Sequence, residues 1–208
     1  MSQKQPLLFI GHGSPMNAIE DTKYTREWQR MGKTLAVPRA ILMISAHWIT
    51  PGETRIATSK EPDMIYDMYG FPDELYQVRY SAPGSPVIAR EILTTLSDFD
   101  IHNDPERGLD HAVWSVLIHL FPKQDIPVVS LSVDYDQTPE WHYEFGQKLR
   151  TLREQGILII ASGNIVHNLR RISFSSPVDH EWAKEFDERV QKDIREKNYR
   201  DIVDFLSW

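Results

Sequence analysis

Apolar runs alternate with amphipathic segments along this chain. Leu7–Ile10, Ala40–Ala46, Pro127–Val133 and Ile157–Gly163 are short, continuous apolar runs bounded by turn residues. Runs of that length and bounding read as buried strands. Glu53–Thr58 is a further candidate strand and Gln77–Tyr80 a short one. Between them the period changes. Within Asp21–Leu35, Tyr24, Trp28, Met31 and Leu35 fall on one helix face, and Pro38 ends the pattern. Ser85 and Pro86 read as N-cap and first residue of a helix to about Ser97. Asp110 caps a strongly apolar helix over Ala112–Phe121. Thr138 and Pro139 open a helix that runs to Gln155 and stops at Gly156. From His180 onward the chain reads as charged helix. Apolar strands separated by helices predict a single-domain α/β fold, with a mostly parallel central sheet flanked by helices on both faces.

The segment Glu61–Ser85 breaks this rhythm, being rich in Pro, Gly, Asp and aromatics. So many aromatics in irregular chain suit a pocket wall or a loop packed on the core for stability, and both readings stand. The net charge of −7, with no basic stripe, argues against nucleic-acid binding. The absence of cysteine excludes disulfides and thiolate chemistry, so any metal must be held by His, Asp, Glu or backbone oxygens. No apolar run reaches membrane-spanning length and the N-terminus lacks a signal-peptide core. A cytoplasmic protein that engages no membrane is the expectation, and a homo-oligomer is left open.

The candidate chemistry lies where strands end. Ile10 leads into Gly11-His12-Gly13, Ser45-Ala46 into His47-Trp48, and Ser162-Gly163-Asn164 into His167. In a parallel sheet those ends share one edge, where open α/β sheets bind ligands, so the three imidazoles can converge. A histidine site without thiolates suits zinc, iron, copper or nickel. His111 begins a helix, where a neutral imidazole can donate a hydrogen bond to a substrate or take a proton from it. No phosphate-binding glycine loop and no nucleophile elbow is present.

Five motifs carry a resemblance: Gly11-His12-Gly13-Ser14-Pro15-Met16, Ser45-Ala46-His47-Trp48, Tyr80-Ser81-Ala82-Pro83-Gly84, Leu109-Asp110-His111-Ala112-Val113-Trp114, and Ala161 through Leu169. In this order the chain resembles the extradiol ring-cleavage dioxygenases of the LigB superfamily, most closely the branch named 4,5-DOPA dioxygenase extradiol. The resemblance spans nearly the whole chain. It implies a metal-dependent oxidoreductase that opens the ring of a small aromatic diol such as DOPA with O2. It implies one divalent ion per chain, Fe(II) for oxygen chemistry or Zn(II) as isolated. It implies His12 and His47 as metal ligands, and His167 as a metal ligand or the acid/base beside the ion. It also implies His111 as a second proton-handling or substrate-contacting residue. Ser14, Trp48 and Tyr69 are expected to contact the substrate. The family's chains continue into a Pro-x-Pro-Glu-His-type segment, so residues 1–208 are expected to form one catalytic domain lacking it. A zinc-dependent hydrolase on the same scaffold and a non-catalytic binding protein remain the alternatives.

Overall fold

The structure, a computed structural model, describes residues 3–171 and 180–208. Six strands form one sheet: β1 (Leu7–Ile10), β2 (Ala40–Thr50), β3 (Thr54–Ala57), β4 (Ile101–Asp104), β5 (Val128–Asp134) and β6 (Ile157–Ser162), in the order β1-β6-β2-β5-β3-β4. Every pairing is parallel except β3 with β5, which is antiparallel. The helices are α1 (Lys23–Thr34), α2 (Asp73–Tyr76), α3 (Pro86–Thr95), α4 (His111–Leu120), α5 (Pro139–Leu149), α6 (Glu181–Glu196) and α7 (Tyr199–Val203).

Strand alternation divides the core between the two faces of the sheet. Ile41, Met43, Leu158 and Ile160 pack with Trp28 of α1 and Trp114 and Leu117 of α4. Ala40, Leu42, Ile157 and Ile159 pack with Ile88 and Ile92 of α3 and Phe145 and Leu149 of α5. Strands sandwiched in this way must be apolar on both sides, which explains their continuous apolar runs.

Several caps form where the sequence places them. Ser85 accepts from Ile88 N, Asp110 from Ala112 N and Thr138 from Trp141 N. α5 gives way to a 3-10 turn over Arg150–Gln155, and Gly156 at φ +80° closes it in the left-handed region.

Other expectations are corrected. β1 is an edge strand, and only Ile10 is buried; Leu7 and Phe9 are 49 % and 58 % exposed. A strand with a neighbour on one side only has less cover, which a run of four apolar residues does not reveal. Gln77–Tyr80 is not a strand but the irregular exit from α2. Ile101–Asp104, not anticipated, adds the opposite edge strand β4. β2 does not stop at Ala46 but continues through His47 to Thr50, with a register shift against β5 between Ile44 and Ile49. No helix among the described residues is long and apolar enough to cross a membrane.

Candidate metal centre

The strands β1, β6 and β2 are adjacent and parallel, so their carboxyl ends open onto one edge. His12 follows β1 in a turn where Gly13 takes φ +65°, a conformation that favours glycine. Asn17 Nδ2 donates to the His12 carbonyl at 2.9 Å, and His119 Nε2 lies 2.7 Å from Asn17 O, tying that turn to α4. His47 stands on β2 and His111 opens α4.

A buried polar frame sets the spacing of the last two. Asp110, 1 % exposed, accepts from Ser45 Oγ at 2.8 Å and from Ala112 N at 3.1 Å. Ser45 Oγ accepts in turn from His47 N at 3.1 Å. Arg107 pairs with the other Asp110 oxygen and lies over the Trp48 ring, 4.9 Å from its centroid. Ser45, two positions before His47 on the strand, is thus joined to the cap residue Asp110 immediately before His111.

The outcome is a cluster of three imidazoles. His12, His47 and His111 each offer a ligand atom within 4.8 Å of the other two. His12 Nε2 and His47 Nε2 are 3.2 Å apart, and the His47 and His111 ring centroids 4.0 Å. Asp67 accepts on the far side of two rings: His111 Nδ1 lies 2.9 Å from Oδ1 and His47 Nδ1 3.2 Å from Oδ2. With Nδ1 of both rings so engaged, Nε2 is the nitrogen left to meet a ligand.

Two consequences follow for protonation. Burial, followed by repulsion from His111, His47 and His167, lowers the His12 pKa from 6.5 to about 4 against the weaker pull of Asp67. Burial works to raise the Asp67 pKa, but hydrogen bonds from the His111 and His47 rings and the His111 backbone outweigh it and hold the carboxyl well below its usual range. An ionised carboxylate therefore faces neutral His12.

A cavity of about 630 Å³ opens over the cluster. Ser14, Met68, Phe71, Asn164, His167, Arg171, His180 and Trp182 line it with the three histidines, and no Asp or Glu does among the described residues. His12, His47 and His167 thus share one cavity, although His167 is exposed and outside the close group. Ser14 lines the cavity and caps the 3-10 turn after it, accepting from Met16 N. Trp48 does not reach the cavity, because successive strand residues face opposite sides and His47 takes the open one; Trp48 is 6 % exposed under Arg107. Tyr69 also fails to line it: the residue is 91 % exposed, and the neighbouring Met68 and Phe71 form the wall instead. The loop expected to be either wall or core is both, since Met64, Tyr66, Met68 and Phe71 also pack on the main core.

The family described as "Catalytic LigB subunit of aromatic ring-opening dioxygenase" matches residues 6–207. This chain belongs to the LigB family. Among its relatives, the 4,5-DOPA dioxygenase extradiol of Escherichia coli K12 is 46 % identical over 197 residues, covering 93 % of this chain and 72 % of the relative. A protein of the same name from Beta vulgaris is 38 % identical over 200 residues, covering 93 % and 74 %. The crystal structure of an uncharacterized protein from Escherichia coli K12 superposes with a TM-score of 0.79 at 41 % identity, covering 91 % of this chain and 72 % of that one. The LigB fold is therefore this chain's fold.

The imidazole cluster fits a divalent ion on its own terms. Two ligands at about 2.0–2.1 Å from a tetrahedral ion sit ~3.4 Å apart, close to the separation of the His12 and His47 nitrogens. His12 Nδ1 is buried without a hydrogen-bond partner among the described residues, so Nε2 is the only nitrogen through which this ring meets another group. Asp67 was not singled out in the sequence. Its partners lie 44 residues downstream, for His111, and on a different element upstream, for His47, so no local spacing marks it.

Proposed function

We propose that this LigB-family chain is a metal-dependent extradiol dioxygenase that opens a catechol ring with O2. The observation that carries the reading is the convergence of three imidazoles, two of them anchored at Nδ1, beneath a cavity wide enough for a substituted aromatic ring. His12 and His47 hold the ion. His111 offers Nε2 to the same point, to the ion or to a hydroxyl beside it. Bound Fe(II) supplies the one-electron chemistry that O2 activation needs, whereas zinc supplies Lewis acidity alone.

The chain's own groups do the rest. Met68 and Phe71 give the ring an apolar wall and exclude water from one side. Arg171 in the wall, with no carboxylate lining the cavity among the described residues, favours a diol that enters with negative charge. His167 stands in the wall outside the cluster, free to move a proton to or from the substrate as the ring opens. Ser14 offers a hydroxyl at the rim.

The test is direct. The protein is loaded anaerobically with Fe(II), mixed with DOPA or caffeate, and followed by oxygen uptake and a yellow ring-opened product. Stoichiometric uptake with colour supports the proposal. No uptake, with ester hydrolysis by the zinc form, would replace it with the hydrolase reading; inactivity in both assays would leave a binding protein.

A further inference from the structure

The loop residue Asp67 has no assigned part in this site, yet among the described residues it is the one carboxylate that touches two of the three clustered rings. Its placement is built into the fold rather than left to a free loop. Ile65 N donates to Leu109 O and Leu109 N to Asp63 O, both at 2.8 Å, so the loop lies in parallel register against the chain entering α4. Trp114 Nε1 donates to Ile65 O at 3.0 Å from inside α4. Gly108 permits the approach: a Cβ there would stand 2.1 Å from Asp63 O. Asp67 Oδ1 also accepts the His111 backbone N at 3.0 Å, which fixes the carboxylate to the first turn of the helix.

We propose that Asp67 is the positioning residue of the site: by accepting Nδ1–H from both His47 and His111, it sets both rings in the tautomer that presents a bare Nε2 to the cavity. Each carboxylate oxygen serves one ring, so a single side chain fixes two tautomers and two ring orientations. Carboxylates behind metal-bound imidazoles sharpen ligand basicity in this way. The asparagine variant exposes the logic. Its amide has one acceptor oxygen and one donor nitrogen, so only one ring can keep its Nδ1–H bond. The other must turn away or move its proton to Nε2, where it blocks the lone pair.

This inference rests on the metal reading for its consequence but not for its first test. Imidazole nitrogen NMR of the metal-free wild-type protein at mildly alkaline pH reads the tautomers without any ion or variant. Protonated Nδ1 on both His47 and His111 is expected; protonated Nε2 on either overturns the proposal. The second test is zinc affinity by competition with a chromophoric chelator. Asp67→Asn is expected to weaken binding by about 10- to 100-fold, with Asp67→Glu recovering part of the loss. Wild-type affinity in Asp67→Asn overturns the proposal as well. If the wild type binds no zinc, the proposed function fails while the tautomers still decide the role of Asp67, and they decide it also if Asp67→Asn does not fold.

Discussion

Acidification should destabilise the metal-free protein through His12 in particular. The residue is 3 % exposed, and its pKa falls from 6.5 to about 4 on folding, chiefly through burial and then through three neighbouring imidazoles. A folded-state pKa below the unfolded one means that the unfolded chain binds the proton first as pH falls. Stability from this ring is therefore full above about pH 6.5, declines through the window down to about pH 4, and is constant below it. At about 1.4 kcal/mol per pH unit across that gap, the loss is about 3 kcal/mol. His12→Gln removes the titration while keeping a polar side chain of similar size. Urea unfolding of both proteins in chelator, from about pH 7 to about pH 4, isolates the ring's share as the difference between them. The wild type should lose about 3 kcal/mol more than the variant. Parallel curves, differing by less than about 1 kcal/mol over the window, would refute the reasoning. Asp67 works in the same direction but lower on the scale. Its depressed pKa stabilises the fold above the ordinary carboxylate range and is lost only below it.

Two further outcomes follow from the structure. Asp110→Ala leaves Arg107, whose side chain is 16 % exposed, without its buried partner and strips α4 of its cap, so stability should fall by about 3–5 kcal/mol in urea titrations; a loss under about 1 kcal/mol would show that the frame carries little. Phe71→Ala should raise KM for a catechol substrate about tenfold while Tyr69→Ala leaves it within a factor of about two, because only Phe71 lines the cavity; steady-state kinetics with equal effects would contradict that wall.

Much of this was legible because the signals were local. The continuous apolar runs of β2, β5 and β6 announce strands covered on both faces, and Ser85, Asp110 and Thr138 announce helix starts by the chemistry of their own side chains. The convergence of His12, His47 and His167 on one cavity follows from parallel topology, since adjacent strands must end on the same edge. What stayed hidden depends on partners remote in sequence. β1 shares the apolar character of its neighbours but ends the sheet, and composition does not distinguish edge from centre over four residues. β4 carries one apolar residue, Ile101, and owes its state to pairing with β3. Tyr69 and Phe71 are indistinguishable as aromatics in an irregular loop; only the path of the backbone sends one to water and the other to the cavity. Trp48 shows the reverse case, because strand alternation alone would have placed it opposite His47 had β2 been read through to Thr50.

The central claim is that His12, His47 and their neighbours hold one divalent ion. Equilibrium dialysis against Fe(II) without oxygen, or against zinc, tests it most directly when wild type and His12→Ala are compared at neutral pH. The account predicts about one ion per chain for the wild type and almost none for the variant, with both proteins folded by circular dichroism. Equal uptake by the two, or no uptake by the wild type, would contradict it.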